Sequence, residues 1–309
     1  MAFIHNPLQM TGGQEAINQM LEKYGLLEPL PVQYWNWMKG VFSGNLGWSS
    51  TAQQPVGKAL LTRLPATAEL MLFSIIPIIA GGIVMGVLSA AFHNRPLDHI
   101  TRLIAISGWS MPSFLLALLI LMTFYGQFDW FMPGRLGHWA EQIVMSDSFV
   151  RYTGLNVLDS LLNGRPDIAL NSLRHIAMPT ITLILVDWAA LARITRSSMI
   201  ESLHTEYIKT ARAKGLKERY VIFKHALRNA LLPAVTFGGM LIAWMLAGFV
   251  IAETIFTYEG LGKFAADAAS HLDFAGILGF ALFFGVIMLT MNLVVDVLYA
   301  SLDPRVRLD

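Results

Sequence analysis

Two carboxylates, Asp187 and Asp296, stand inside long apolar runs. A charged group at bilayer depth costs about 2.5 to 3.5 kcal/mol on insertion scales, so Asp187 must face the interior of a helix bundle or water. That makes Asp187 a candidate pathway residue. The alternative is a structural pairing with Arg193, Arg196 or a neighbouring subunit. Asp296 lies close to a membrane boundary and reads as an interfacial or packing residue. Intramembrane hydrolysis needs paired catalytic groups at one depth, and these two are far apart in depth. The eight histidines are scattered with no His-Glu-x-x-His pair, and there are no cysteines. Gly260-x-Gly262-Lys263 lacks the remainder of a phosphate loop and reads as a turn. No catalytic residue, metal site, bound cofactor or nucleic-acid partner is therefore expected in this chain.

The elements that would position such residues follow from composition. Of 309 residues, 55% are hydrophobic and 14% charged, and mean hydropathy is +0.53. Soluble domains carry roughly 25% charged residues, so an ordinary globular protein is excluded. Apolar runs long enough to cross a bilayer cover Leu70 to Phe92, Leu103 to Tyr125, Ile176 to Ile194, Ala234 to Ile255 and Ala275 to Leu298. The expected fold is an all-α, polytopic membrane protein with five transmembrane helices. Near-neutral overall, with 22 basic and 21 acidic residues, the chain distributes its charge unevenly. Arg193, Arg196, Lys209, Arg212, Lys214, Lys217, Arg219, Lys224 and Arg228 crowd the segment after the third run. Arg95 and Arg102 follow the first run, and Arg305 and Arg307 the last. The positive-inside rule places these segments in the cytoplasm and the first 69 residues outside. Glu253 and Glu259 then fall at the outer surface. Within the outer N-terminal stretch, Ala16, Ile17, Met20, Leu21 and Tyr24 form one apolar face, and Tyr34, Trp35, Trp37 and Met38 an aromatic patch suited to an interface.

The basic segment is helical in pattern. Met199, Leu203, Tyr207 and Ala211 recur at every fourth position, and Gly215 stops the helix after a basic last turn. A second short helix follows, with Val221, Ile222, His225 and Ala226 on one side, before Pro233. Gly81, Gly82, Gly86, Gly238 and Gly239 read as helix-packing positions.

Glu206 to Leu216, continuing through His225 to Pro233, resembles the "EAA" loop of ABC importer permeases, in the branch that handles dipeptides, oligopeptides and nickel. Arg63-Leu64-Pro65-Ala66-Thr67, Glu253-Thr254-Ile255-Phe256 with Gly260-Leu261-Gly262, Asn292 to Tyr299 and Asp303-Pro304-Arg305-Val306-Arg307 resemble it in the same order. The resemblance implies a type I importer permease in the cytoplasmic (inner) membrane, with the six helices usual in that family short by the first. It implies that the loop docks in a groove of the ATPase, with Tyr207, Thr210, Ala211, Arg212, Gly215 and Leu216 as coupling residues. Lys209 and Thr210 depart from the family's Glu and Ala. The implied partners are a second homologous permease, two cytoplasmic ATPases that use ATP and Mg, and an extracytoplasmic solute-binding protein; at the outer surface Glu253 and Glu259 would either contact that protein or simply be solvated. Residues 1–65 would form an outer or interfacial segment, 66–302 the permease domain with its coupling loop at 195–230, and 303–309 a cytoplasmic tail. Small peptides are the expected solute, with nickel complexes, opines and oligosaccharides also handled by similar permeases. The competing expectation is an ion-coupled secondary transporter using Asp187.

Overall fold

The computed structural model describes residues 27–246 and 249–302. The apolar face from Ala16 to Tyr24, Arg305, Arg307 and the side chain of Asp296 lie outside the described residues. An amphipathic helix α1 (Leu30–Phe42) has Pro31 in its first turn, where a missing N–H costs nothing. It carries Tyr34 and Trp35 exposed to the surroundings. A two-residue hairpin, β1 (Trp48–Ser49) against β2 (Gln54–Pro55), then leads into the helical bundle.

Two very long helices form the centre of that bundle. They are α2 (Val56–Ala91, 36 residues) and α7 (Pro166–Leu203, 38 residues). At 1.5 Å per residue each is over ~50 Å long, against a hydrocarbon core of roughly 30 Å, so both project beyond the membrane. The boundary expected at residue 65 thus falls within a continuous helix. Their seam rests on two glycines one turn apart. A Cβ on Gly82 would lie 2.8 Å from the side chain of Leu191, and one on Gly86 would lie 2.6 Å from Cβ of Thr195. Backbones can approach this closely only where a side chain is absent, and in lipid such packing is a main source of helix association. By contrast Gly81 faces open space.

Among the described residues, four helices are long and apolar enough to cross a membrane: Val56–Ala91, Pro166–Leu203, Glu218–Met245 and Phe274–Val294. The second expected span, Leu103 to Tyr125, is not a straight helix. It consists of α3 (Pro96–Ser110) and α4 (Ser113–Ile120), which runs on as a π-helical stretch to Gln127, and the two parts meet at 96°. Pro112 explains the break, because a proline disfavours helical backbone at the preceding residue, and Met111 is extended. Short helices α5 (His138–Val144) and α6 (Asn156–Leu162) precede α7, and α8 (Glu206–Ala213) follows it. The next rod is built from α9 (Glu218–Tyr220), a π-helical turn (Val221–Ala226) and α10 (Leu227–Leu246). The fourth span was expected to reach Ile255, yet Phe249 is not helical and Val250–Ile255 is a separate helix, α11. After α12 (Leu261–Ser270), α13 (Phe274–Leu302) closes the bundle.

Candidate functional site

The ends of α2 and α7 at Ala91 and Leu203 lie beside α8. The stripe from Met199 to Ala211 belongs to two helices rather than one, because α7 stops at Leu203 and the chain turns at His204 and Thr205. Consequently Ile208 and Ala211 are the buried residues of α8, while Tyr207 is 41% exposed. Ile208 and Ala211 pack with Val87 and Ala90 of α2, Met199 of α7, and Val221, Ala226 and Ala230 of the following rod. One short helix thus shares a buried apolar cluster with residues of three membrane helices, and packs chiefly on the π-helical turn Val221–Ala226. Its outer face presents Thr210 to solvent, and the turn that follows it exposes Lys214 and Lys217. Lys209 is also exposed and pairs with Glu206.

The end of α8 has a glycine-specific geometry. Gly215 sits at φ +76°, its N–H donates to the Arg212 carbonyl at 2.9 Å, and the Leu216 N–H reaches the Ala211 carbonyl at 3.4 Å. This pair of bonds is a Schellman closure, which satisfies carbonyls the helix leaves open. Arg212 then bridges to Glu218 at 2.7 Å, holding the turn against the start of α9. Tyr207 closes the other side. Its hydroxyl lies 2.8 Å from Ser202 Oγ and accepts from Asn229 Nδ2 at 2.9 Å, while Ser202 donates to the Ala226 carbonyl. The expected coupling residues Tyr207, Thr210, Ala211, Arg212, Gly215 and Leu216 therefore occupy one compact element. Exposed Tyr220 and Phe223 lie beside it and were not singled out from the sequence. Their signal was an aromatic pair within a basic run.

At the opposite end the structure corrects one expectation. Glu253 is fully buried, so it cannot meet a binding protein; only Glu259 is exposed. Thr67 donates its hydroxyl to Glu253 Oε1 at 2.7 Å, the Lys263 N–H donates to Oε2 at 2.9 Å, and Thr67 Oγ1 accepts from the Leu261 N–H. Burial pushes the Glu253 carboxyl above its ordinary range. Gly260 leaves room for it, since a Cβ there would stand 2.5 Å from the carboxylate. Three sequence stretches far apart in the chain, around Thr67, Glu253 and Gly260, thus meet in one buried network. A second network lies alongside. Glu69, also buried, pairs with Arg135 at 3.0 Å and accepts from the Val157 N–H at 2.8 Å and the Tyr258 hydroxyl at 3.2 Å. Burial raises the Tyr258 pKa, so its phenol stays a neutral donor. Together these bonds fasten the outer loops and α11 onto the outer end of α2.

Asp187 is half-buried in α7 and makes no hydrogen bond or ion pair among the described residues. Arg196, one of its expected partners, is held elsewhere. It forms a two-pronged pair with Asp98 of α3, at 2.8 Å and 2.9 Å, and Asp98 also accepts from Ser89 and the Asn94 N–H. Asp98 is fully buried, and the pair ties α2, α3 and α7 together near the cytoplasmic side. No group of three or more acidic or histidine side chains able to hold a metal occurs among the described residues.

Comparison with known proteins matches residues 82–308 to the family model described as "Binding-protein-dependent transport system inner membrane component". The chain is similar to the probable D,D-dipeptide transport system permease protein DdpB of Escherichia coli. It is 37% identical over 307 residues, which cover 97% of this chain and 88% of the relative. It is 36% identical to the dipeptide transport system permease protein DppB of Alkalihalophilus pseudofirmus, covering 98% and 90% of the two. Similarity to the oligopeptide transport system permease protein AppB of Bacillus subtilis is also 36%, covering 94% and 84%.

Proposed function

The chain belongs to the family of binding-protein-dependent inner-membrane permeases, and on that premise we propose that it carries small peptides across the inner membrane, driven through α8 by separate ATPase subunits. Permeases of this family work with an ATPase and a solute-binding protein. Pairing with a second homologous permease and two ATPases, which hold the ATP and Mg, completes the proposed assembly. The observation that carries this reading is the placement of α8. It exposes Lys209 and Thr210 while its buried residues share an apolar cluster with α2 and α7, the pair that forms the central seam. A push on α8 therefore acts on both long helices at once. ATP binding by the partners would bias the bundle between two arrangements by as much as their differential affinity for it. Peptides are favoured as solute because the relatives' names specify dipeptides and oligopeptides. The ion-coupled alternative through Asp187 gains no support from these relatives.

Reconstitution of the chain with its partners in proteoliposomes tests the proposal. Dipeptide uptake is expected only with ATP, the ATPases and the binding protein, and it should persist when an uncoupler dissipates ion gradients. Uptake by the permeases without an ATPase, abolished by the uncoupler, would overturn the reading in favour of ion coupling.

A further inference from the structure

Helix α1 (Leu30–Phe42) has no buried residue, yet its side chains are sorted by polarity. At about 100° per residue, Leu30, Tyr34, Trp35, Met38, Val41 and Phe42 fall within one continuous arc, which Trp37 borders. Gln33, Asn36, Lys39 and Gly40 lie opposite, where Val32 is the one apolar exception. The arc faces outward: Leu30 is 76% exposed and Phe42 83%, with Tyr34 and Trp35 also open. Lys39 is the only charged residue of the helix and stands over the Trp35 ring at 5.6 Å. The chain that follows sets the depth of this face. Leu46, four residues beyond Phe42, packs in one apolar cluster with Val56 of α2 and with Ala275 and Phe280 of α13. Four residues span at most about 14 Å. The Thr51 N–H donates to the Asp273 carboxylate at 3.1 Å, and Ser49 donates its hydroxyl to the same group. Asp273 immediately precedes Phe274–Val294, the stretch of α13 long and apolar enough to cross the membrane. So α1 ends beside the point where α13 emerges from the bilayer, at the end of α2 opposite α8.

We propose that α1 lies on the bilayer surface at that end of the bundle, with the arc from Leu30 to Phe42 sunk among the lipid headgroups and Asn36 and Lys39 toward water. Composition selects lipid as the occupant. Tryptophan and tyrosine concentrate at headgroup depth, where an amphipathic ring meets both media, and a helix with Trp, Phe and Leu on one face sinks that face about 5–10 Å into the boundary. Depth selects it as well, since an apolar face held where α13 emerges meets headgroups without any further partner. Lys39 borders the arc beside Trp35, so its methylenes can follow the apolar layer while its ammonium stays in water. Placed in this way, α1 moors the β1–β2 hairpin to the membrane surface, and through Ser49, Thr51 and Asp273 the start of α13. The inference needs only a membrane protein and does not depend on which solute is carried or on coupling through α8.

Electron paramagnetic resonance of single spin labels tests the proposal. The chain has no cysteine, so Tyr34→Cys, Met38→Cys and Phe42→Cys on the arc, and Asn36→Cys and Gly40→Cys opposite, can each be labelled before assembly with the partner subunits in proteoliposomes. None of the five side chains is buried, so the substitutions leave the core of the bundle untouched. Oxygen concentrates in the bilayer and a chelated nickel reagent in water. The ratio of oxygen to nickel collision rates should therefore be at least about threefold higher at the three arc positions than at the two opposite ones. Adding Leu30→Glu and Trp35→Glu should bring the ratio at position 38 down to the level at position 36, and a ratio that stays high would overturn the proposal. Equal ratios around the helix, with nickel reaching the arc, would place α1 in water and overturn it. Arc labels that are immobile and reached by neither reagent would show that the second permease or the binding protein covers the face, which overturns it too.

Discussion

Replacing Gly215 by valine will cut ATP-dependent uptake at least about tenfold while leaving the chain inserted in the membrane and the ATPases able to hydrolyse ATP. The cause is the backbone. Gly215 takes φ +76°, a region that costs a side-chain-bearing residue about 1–2 kcal/mol and a β-branched one more. No neighbour lies within 4 Å of a Cβ built there, so the substitution creates no clash and its effect is confined to the turn. Losing the turn frees the Ala211 and Arg212 carbonyls and moves Arg212 relative to Glu218, so the outer face of α8 no longer presents one shape. Gly215→Asn is the control, because asparagine tolerates the left-handed region and should keep most of the uptake. Paired assays of uptake and ATP hydrolysis read the difference. Equal uptake by the valine variant and the parent would contradict a coupling role for this turn.

The largest stability effect is expected at the outer end. Glu69→Ala removes the partner of Arg135 and the acceptor for the Val157 N–H and the Tyr258 hydroxyl. Breaking a buried ion pair from one side typically costs 3–5 kcal/mol, because the remaining charge keeps its desolvation without its partner. The predicted loss for Glu69→Ala is about 4 kcal/mol. It is read as a lower thermal midpoint of the purified assembly and a lower steady-state level in membranes. Removing both charges with Glu69→Ala and Arg135→Met should be milder than Glu69→Ala alone. A single variant as stable as the parent would show that the outer loops are held by apolar packing instead.

Much of this organisation was legible in the sequence. The apolar cores of four spans and the stop at Gly215 follow from hydropathy and glycine chemistry. What was not legible came from tertiary contacts. Polar residues such as Arg63 and Glu69 hid the outer extension of α2, because a helix outside the bilayer carries no hydropathy signal. The same blindness placed Glu253 at the surface. Its burial depends on Thr67, nearly two hundred residues earlier, and on backbone donors around Lys263, and no local pattern reports such a partner. Pro112 did carry a signal for the break between α3 and α4, which the strength of the surrounding apolar run outweighed. The turn at His204 and Thr205 shifted the buried face of α8 from Tyr207 to Ile208, a change that a strict four-residue periodicity conceals. Asp98 as the partner of Arg196 likewise needed the third dimension.

The central claim is that the exposed face of α8 meets an ATPase subunit. The chain contains no cysteine, so a single one can be placed without a background. Thr210→Cys lies on the exposed face of α8, and Gln142→Cys, exposed on α5 at the other end of the molecule, serves as its control. Cross-linking in membranes that contain the whole importer should join the Thr210→Cys chain to an ATPase subunit and leave the Gln142→Cys chain without that product. A Thr210→Cys chain that is freely labelled by a cytoplasmic thiol reagent in the assembled importer, with no ATPase cross-link, would contradict the account.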